Sequence, residues 1–162
     1  MDSYKIANII EEKHPDPSVP LSTSVQLRFR KILIDFMGQL TPIYVPGVAQ
    51  RLLSNESLDF FHTTRQKDVG MPLDEYGKQH GPGAFERAEP FAREMTALLN
   101  ETSGPYFLGD TVSYTDLIWA ATLLFWKTLG DDIFQKVLKT TGNADLHTKF
   151  LDALSPWMER NE

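Results

Sequence analysis

Ser3 stands directly ahead of an amphipathic run, Tyr4-Lys5-Ile6-Ala7-Asn8-Ile9-Ile10. A hydroxyl at a helix start, beside backbone N–H groups that have no helical partner, caps the helix or holds a carboxylate. Ser113 and Asp116 form a second pair, with the spacing of a capping box. There the serine hydroxyl takes N–H groups of the first turn and the carboxylate reaches back to the cap. Other chemistries find little. His14, His62, His80 and His147 are scattered, with no His-x-x-x-His pair, and Glu11–His14 alone has the Glu-x-x-His spacing, with no second pair to complete a site. No metal is expected, and the histidines read as surface or capping groups. There is no cysteine and no Gly-x-Ser-x-Gly, so neither a thiol nor a hydrolase nucleophile is in view. Gly81-Pro82-Gly83 lacks the strand before it and the Lys-Ser/Thr after it that a phosphate loop needs. The carboxylates lie mainly on polar faces and read as solvated. No residue is singled out as catalytic.

These groups must be positioned by a small acidic chain. Its 162 residues are enough for one domain with a real core, and 41% hydrophobic content is that of a globular protein. A net charge of −6 without any basic run argues against nucleic acid as a partner. Asp2, Lys5 and Glu11 interrupt the opening residues, so no signal peptide is expected. The longest apolar run, Leu117 to Trp126, is about half of what a bilayer needs, so no membrane segment is expected either. Asn55-Glu56-Ser57 and Asn100-Glu101-Thr102 fit the glycosylation pattern, but without a secretory signal both read as chance. A cytoplasmic setting is the expectation.

The pattern is almost all helix. A short helix with Ile6, Ile9 and Ile10 on one face ends at His14-Pro15-Asp16-Pro17-Ser18-Val19-Pro20, the clearest linker. A second helix starts near Ser22 or Thr23 and carries Val25, Phe29, Ile32, Phe36 and Leu40. Leu33 and Met37 widen that stripe. Thr41-Pro42 and Val45-Pro46 predict a kink or a break. Ser54 to Ser57 opens a helix bearing Phe60 and Phe61, closed by Gly70 with Pro72 behind it. Residues 77–83 read as a Gly- and Pro-rich loop. Phe85, Ala88, Ala92, Met95 and Leu99 mark the next helix, with a bend at Pro90. Ser113 then starts a helix that is apolar from Leu117 to Trp126 except at Thr122, so it belongs in the centre of a bundle. Ile133 to Leu138 and Phe150 to Leu154 complete the chain, with no strand alternation and no internal repeat.

Three segments carry a resemblance. Phe107-Leu108-Gly109-Asp110-Thr111-Val112-Ser113-Tyr114-Thr115-Asp116, running into a buried helix, resembles the N-capping box and hydrophobic staple of the glutathione transferase C-terminal domain. Thr115 stands where Ala is commoner. Asp2-Ser3-Tyr4-Lys5-Ile6-Ala7 with the following helix resembles the acidic-Ser motif that closes the family's thioredoxin-like domain. Ser57-Leu58-Asp59-Phe60-Phe61, Thr64-Arg65 and Gly70-Met71-Pro72-Leu73-Asp74-Glu75 resemble the middle of fungal-specific, etherase-like transferases.

The resemblance implies an all-α bundle of the transferase C-terminal type. Residues 1–14 would be the last helix of a thioredoxin-like domain, 15–20 the linker and 21–162 the helical domain. Ser3 would hold the γ-glutamyl carboxylate of glutathione and Asp2 its amino group. Phe36, Met37, Leu40 and Tyr44, around the prolines, would line an apolar acceptor pocket; core or dimer contacts are the other reading of each. The implied chemistry is attack of the glutathione thiolate on small hydrophobic electrophiles. Glutathione is the co-substrate, with no metal, and a homodimer is left open. The family's thiol-activating Ser, Cys or Tyr lies near the start of the thioredoxin-like domain, and the chain begins at Met1 just before the acidic-Ser motif. The complete protein is therefore expected to be the enzyme, and this chain alone inactive. A non-catalytic interaction module of the same fold, or a plain helical structural domain, are the other readings.

Overall fold

The computed structural model describes residues 3–16, 18–21 and 23–158, with Ser3 described by its backbone alone. Its helices are α1 (Ser3–Lys13), α2 (Ser24–Arg51), α3 (Asn55–Val69), α4 (Leu73–His80), α5 (Ala84–Leu99), α6 (Tyr114–Leu129), α7 (Asp131–Thr140), α8 (Ala144–Ala153) and α9 (Ser155–Met158). Among the described residues there is no strand beyond two isolated bridges, Tyr106–Gly109 and Leu108–Thr111, in the turn before α6.

The longest element is α2. Thr23 caps it, its Oγ1 accepting the Gln26 N–H at 3.1 Å. It then runs unbroken for 28 residues through Pro42 and Pro46. The break read from those prolines does not occur. A proline ring crowds the carbonyl four residues back. Both prolines are buried, so burial offsets the lost backbone bonds. The same correction holds for residues 77–83. Helix α4 continues through Gly77 to His80, and only 81–83 remain as a connection. A Cβ on Gly77 would sit 3.1 Å from the Pro46 ring and 3.4 Å from the Pro42 carbonyl oxygen. Glycine there is a contact surface, letting α4 lie close against the prolines of α2. Helix α5 likewise runs unbroken past Pro90.

The core forms between α2, α5, α6 and α7. Phe29, Ile32, Phe36 and Leu40 face Ala84, Ala88, Ala92 and Met95, all buried. Three alanines at successive turns make a smooth seam, and α2 packs most extensively against α5. Trp119, Leu123 and Trp126 fill the centre from α6. Phe29 meets Trp119 at 6.4 Å between ring centroids, and Phe36 meets Trp119 at 5.9 Å and Trp126 at 6.5 Å. Tyr44 meets Phe125 and Trp126 at 6.0 Å each. Residue numbers rise together along both helices, so α2 and α6 run side by side in the same direction. By length and mean hydropathy α2 could also cross a membrane, which the run of Leu117 to Trp126 does not reveal. In this fold α2 is a core helix on one face, with Phe29, Ile32, Phe36 and Leu40 buried.

Ser113 and Asp116 form the expected capping box. Both are buried. Asp116 Oδ2 accepts the Ser113 N–H at 2.8 Å and the Ser113 hydroxyl at 2.5 Å. Its Oδ1 accepts the Phe107 N–H at 2.9 Å, which ties the preceding turn to the helix. Here the serine hydroxyl donates to the carboxylate.

His147 corrects the surface reading of the histidines, since it is fully buried on α8. The Trp119 Nε1–H donates to its Nδ1 at 3.1 Å. An indole nitrogen only donates, so Nδ1 carries no proton and Nε2 does. Nε2–H then faces the Thr96 hydroxyl at 2.9 Å, and Thr96 donates to the Thr141 carbonyl at 2.8 Å. Burial pushes the His147 pKa down to about 4.

Helix α1 lies on the outside. Its Tyr4 ring meets Tyr114 at 6.4 Å. The Glu11 carboxylate clamps the linker, accepting the Ser18 hydroxyl at 2.5 Å and the Val19 N–H at 3.1 Å. Ile6, Ile9 and Ile10 stay 42–55% exposed.

Candidate functional site

Helical geometry divides the four apolar positions expected to line a pocket. Positions 37 and 44 are seven apart and share a face of α2, while 36 and 40 turn toward the neighbouring face. Phe36 and Leu40 are wholly buried against the tryptophans and present no surface. Met37 and Tyr44 are half-buried on the side away from α5. With Arg30, Ile34, Thr41 and Val48 they make one stripe along α2. Tyr114, Ile118, Ala121 and Phe125 make the matching stripe along α6.

The two stripes border a groove with a cleft at each end. At the N-terminal end, Tyr4 of α1 closes a cleft of about 270 Å³ with Leu33, Ile34, Tyr114 and Ile118. At the other end α3 forms the wall. There Tyr44 and Phe125 face Phe61, Arg65 and Val69 across a cleft of about 440 Å³. The Tyr44 and Phe125 rings meet edge to face, at 79°. Such a surface accepts flat apolar molecules. Ser3, the second group singled out from sequence, opens α1 one residue before Tyr4. Its side chain and Asp2 lie outside the described residues. Of the four expected pocket residues Tyr44 lines a cleft and Met37 lines neither, while Ile34, Phe61, Ile118 and Phe125, which line them, are not singled out by the sequence. The available signal was a shared face: 34, 37, 41, 44 and 48 repeat at three and four residues, as do 114, 118, 121 and 125.

Among the described residues, no three His, Cys, Asp or Glu side chains gather as a metal site.

Residues 25–157 match the family described as glutathione S-transferase, C-terminal domain. Among solved structures, the chain is similar to the glutathione S-transferase CsGST63524 of Ceriporiopsis subvermispora, crystallised in complex with glutathione. The TM-score is 0.77 at 22% identity, covering 97% of this chain and 66% of that one. At that identity the likeness is one of fold, and the chain spans about two thirds of the relative's length. No curated protein matches the sequence.

Proposed function

This chain belongs to the glutathione S-transferase C-terminal domain family, and from that premise we propose that it supplies the acceptor side of a glutathione transferase. In this reading the groove between α2 and α6 faces a thioredoxin-like domain. The cleft at Tyr44 and Phe125 takes a hydrophobic electrophile of the etherase-like kind. Glutathione sits near the start of α1, its γ-glutamyl end held by Ser3 and Asp2. Its thiol is activated outside this chain, whose residues orient the acceptor and shield it from water while the thiolate attacks. The observation that carries the reading is the pairing of Tyr44 and Phe125. Two aromatic rings from different helices line an open cleft, while their neighbours Phe36 and Trp126 fill the core.

The test is steady-state conjugation of glutathione to a chloronitrobenzene, by the chain alone and fused behind a glutathione-binding thioredoxin-like domain. No turnover is expected from the chain alone. In the fusion, Tyr44→Ala raises KM for the electrophile by about tenfold and leaves KM for glutathione near wild type. A Tyr44→Ala fusion with unchanged kinetics removes the cleft from the reaction. Turnover by the chain alone overturns the division of labour. A fusion with no activity favours the interaction-module reading.

A further inference from the structure

The cleft at Tyr44 and Phe125 is mostly apolar, and its charged groups stand at one edge, on α3. There Arg65 and Asp68 line it together. Arg65 Nη1 donates to Asp68 Oδ2 at 2.8 Å, and the two side chains are 48% and 61% exposed. The guanidinium carbon also lies 5.6 Å from the centre of the Phe61 ring. From α2 the cleft also receives the Tyr44 and Thr41 side chains, and the Thr41 hydroxyl is turned back onto the Met37 carbonyl at 3.3 Å.

We propose that Arg65 makes this cleft selective for aromatic acceptors that carry an anionic oxygen group, an inference that rests on the cleft being the acceptor pocket. Three properties support it. An exposed ion pair three residues apart on one helix is weak, so an incoming oxyanion displaces Asp68 at little cost. A guanidinium presents five N–H donors in a planar fork, and the pair with Asp68 uses one nitrogen of it. Stacking on Phe61 keeps that fork beside the ring against which an aromatic ligand would lie. A carboxylate, sulfonate or phenolate on such a ligand takes over the partner that Asp68 now holds. A neutral aromatic of the same shape gains the ring contacts alone. Asp68 is then a competitor, and removing its charge strengthens anion binding.

Two fluorescent probes of one scaffold separate these contributions: anilinonaphthalene sulfonate and its uncharged relative phenylnaphthylamine. Each is titrated into the chain, its Arg65→Gln, Asp68→Asn and Tyr44→Ala forms. The readout is the ratio of the two affinities. Arg65→Gln lowers the anion-to-neutral ratio by about tenfold, and Asp68→Asn raises it. A ratio in Arg65→Gln equal to wild type, or a ratio that falls in Asp68→Asn, overturns the selectivity. Tyr44→Ala weakens both probes together. If it weakens neither, the probes do not seat against Tyr44 and the pocket reading itself fails. A neutral probe that depends on Tyr44 while the ratio ignores Arg65 leaves the pocket standing and the anion preference refuted.

Discussion

Trp119 donates its indole N–H to Nδ1 of His147 across 3.1 Å, and that one bond decides which nitrogen of the buried imidazole bears the proton. Trp119 is also the ring on which Phe29 and Phe36 rest. The protonation state of a histidine on α8 is therefore tied to the centre of the bundle.

The first prediction concerns acid. Protonated His147 must lose the Trp119 bond, because Nδ1 would then also be a donor. The groups meeting its ring nitrogens are Trp119 and Thr96, neither charged, and burial is the cause of its lowered pKa, about 4. The unfolded chain takes up the proton near the ordinary 6.5, while the folded chain resists until about 4. The unfolded state thus binds more protons in that window, and stability falls as pH falls through it. The loss approaches about 3 kcal/mol over the window. His147→Gln keeps an acceptor and a donor and does not titrate. Urea denaturation from about pH 7 to about pH 4.5 should show a flatter decline in the variant. Parallel declines would mean that His147 is not the group that titrates.

The second concerns Asp116. Asp116→Ala leaves three donors without their partner: the Phe107 N–H, the Ser113 N–H and the Ser113 hydroxyl. All lie in a buried region, where an unmet donor is costly. The expected destabilisation is about 2–4 kcal/mol, more than an exposed cap would give. Chemical denaturation of the two proteins checks it, and a shift near zero would mean that water replaces the carboxylate.

The third separates core from wall. Phe36→Ala opens a cavity between two tryptophans and should cost about 3–5 kcal/mol. Tyr44→Ala, at the border of a cleft, should cost less than about 2 kcal/mol. Equal losses in denaturant would place Tyr44 in the core and take it out of the cleft.

The fourth concerns α1. Its isoleucines face solvent, and it is attached mainly through Tyr4 and the Glu11 clamp. On dilute, demonstrably monomeric protein, amides of residues 6–10 should exchange far faster than those of α6. Glu11→Ala should speed them further. Protection equal to that of α6 would show that α1 has docked on its own domain.

Local chemistry was legible in the sequence, and long-range packing was not. The Ser113–Asp116 box and the Gly70 stop follow from residues within one turn of each other. Pro42 and Pro46 do not break α2, and what packs on them is distant in sequence: Gly77 is 31 residues beyond Pro46 by number, yet in contact with it. Gly77 likewise does not interrupt α4. His147 looks like any surface histidine until Trp119 and Thr96 close around it. On α2 the sequence does not tell Tyr44 at the cleft from Phe36 in the core, because the helix is apolar on both faces. Only the position of α5 decides which face is core.

The side-by-side course of α2 and α6 has an electrical consequence. Peptide dipoles align along a helix, so each carries partial positive charge at its start and partial negative charge at its end. Two helices pointing the same way add these at the same ends of the groove. The groove is thus poled, positive beside Tyr114 and negative beyond Phe125. Side by side, such dipoles repel, and a cation stands in the last turn of each helix, Arg51 in α2 and Lys127 in α6. Arg51, in the last turn of α2, donates to the Leu129 carbonyl that ends α6, at 3.2 Å. It is held there by Asp132 at 2.7 Å. A polar molecule lying in the groove therefore meets a field with a direction, and the Arg51–Asp132 pair stands at its negative end.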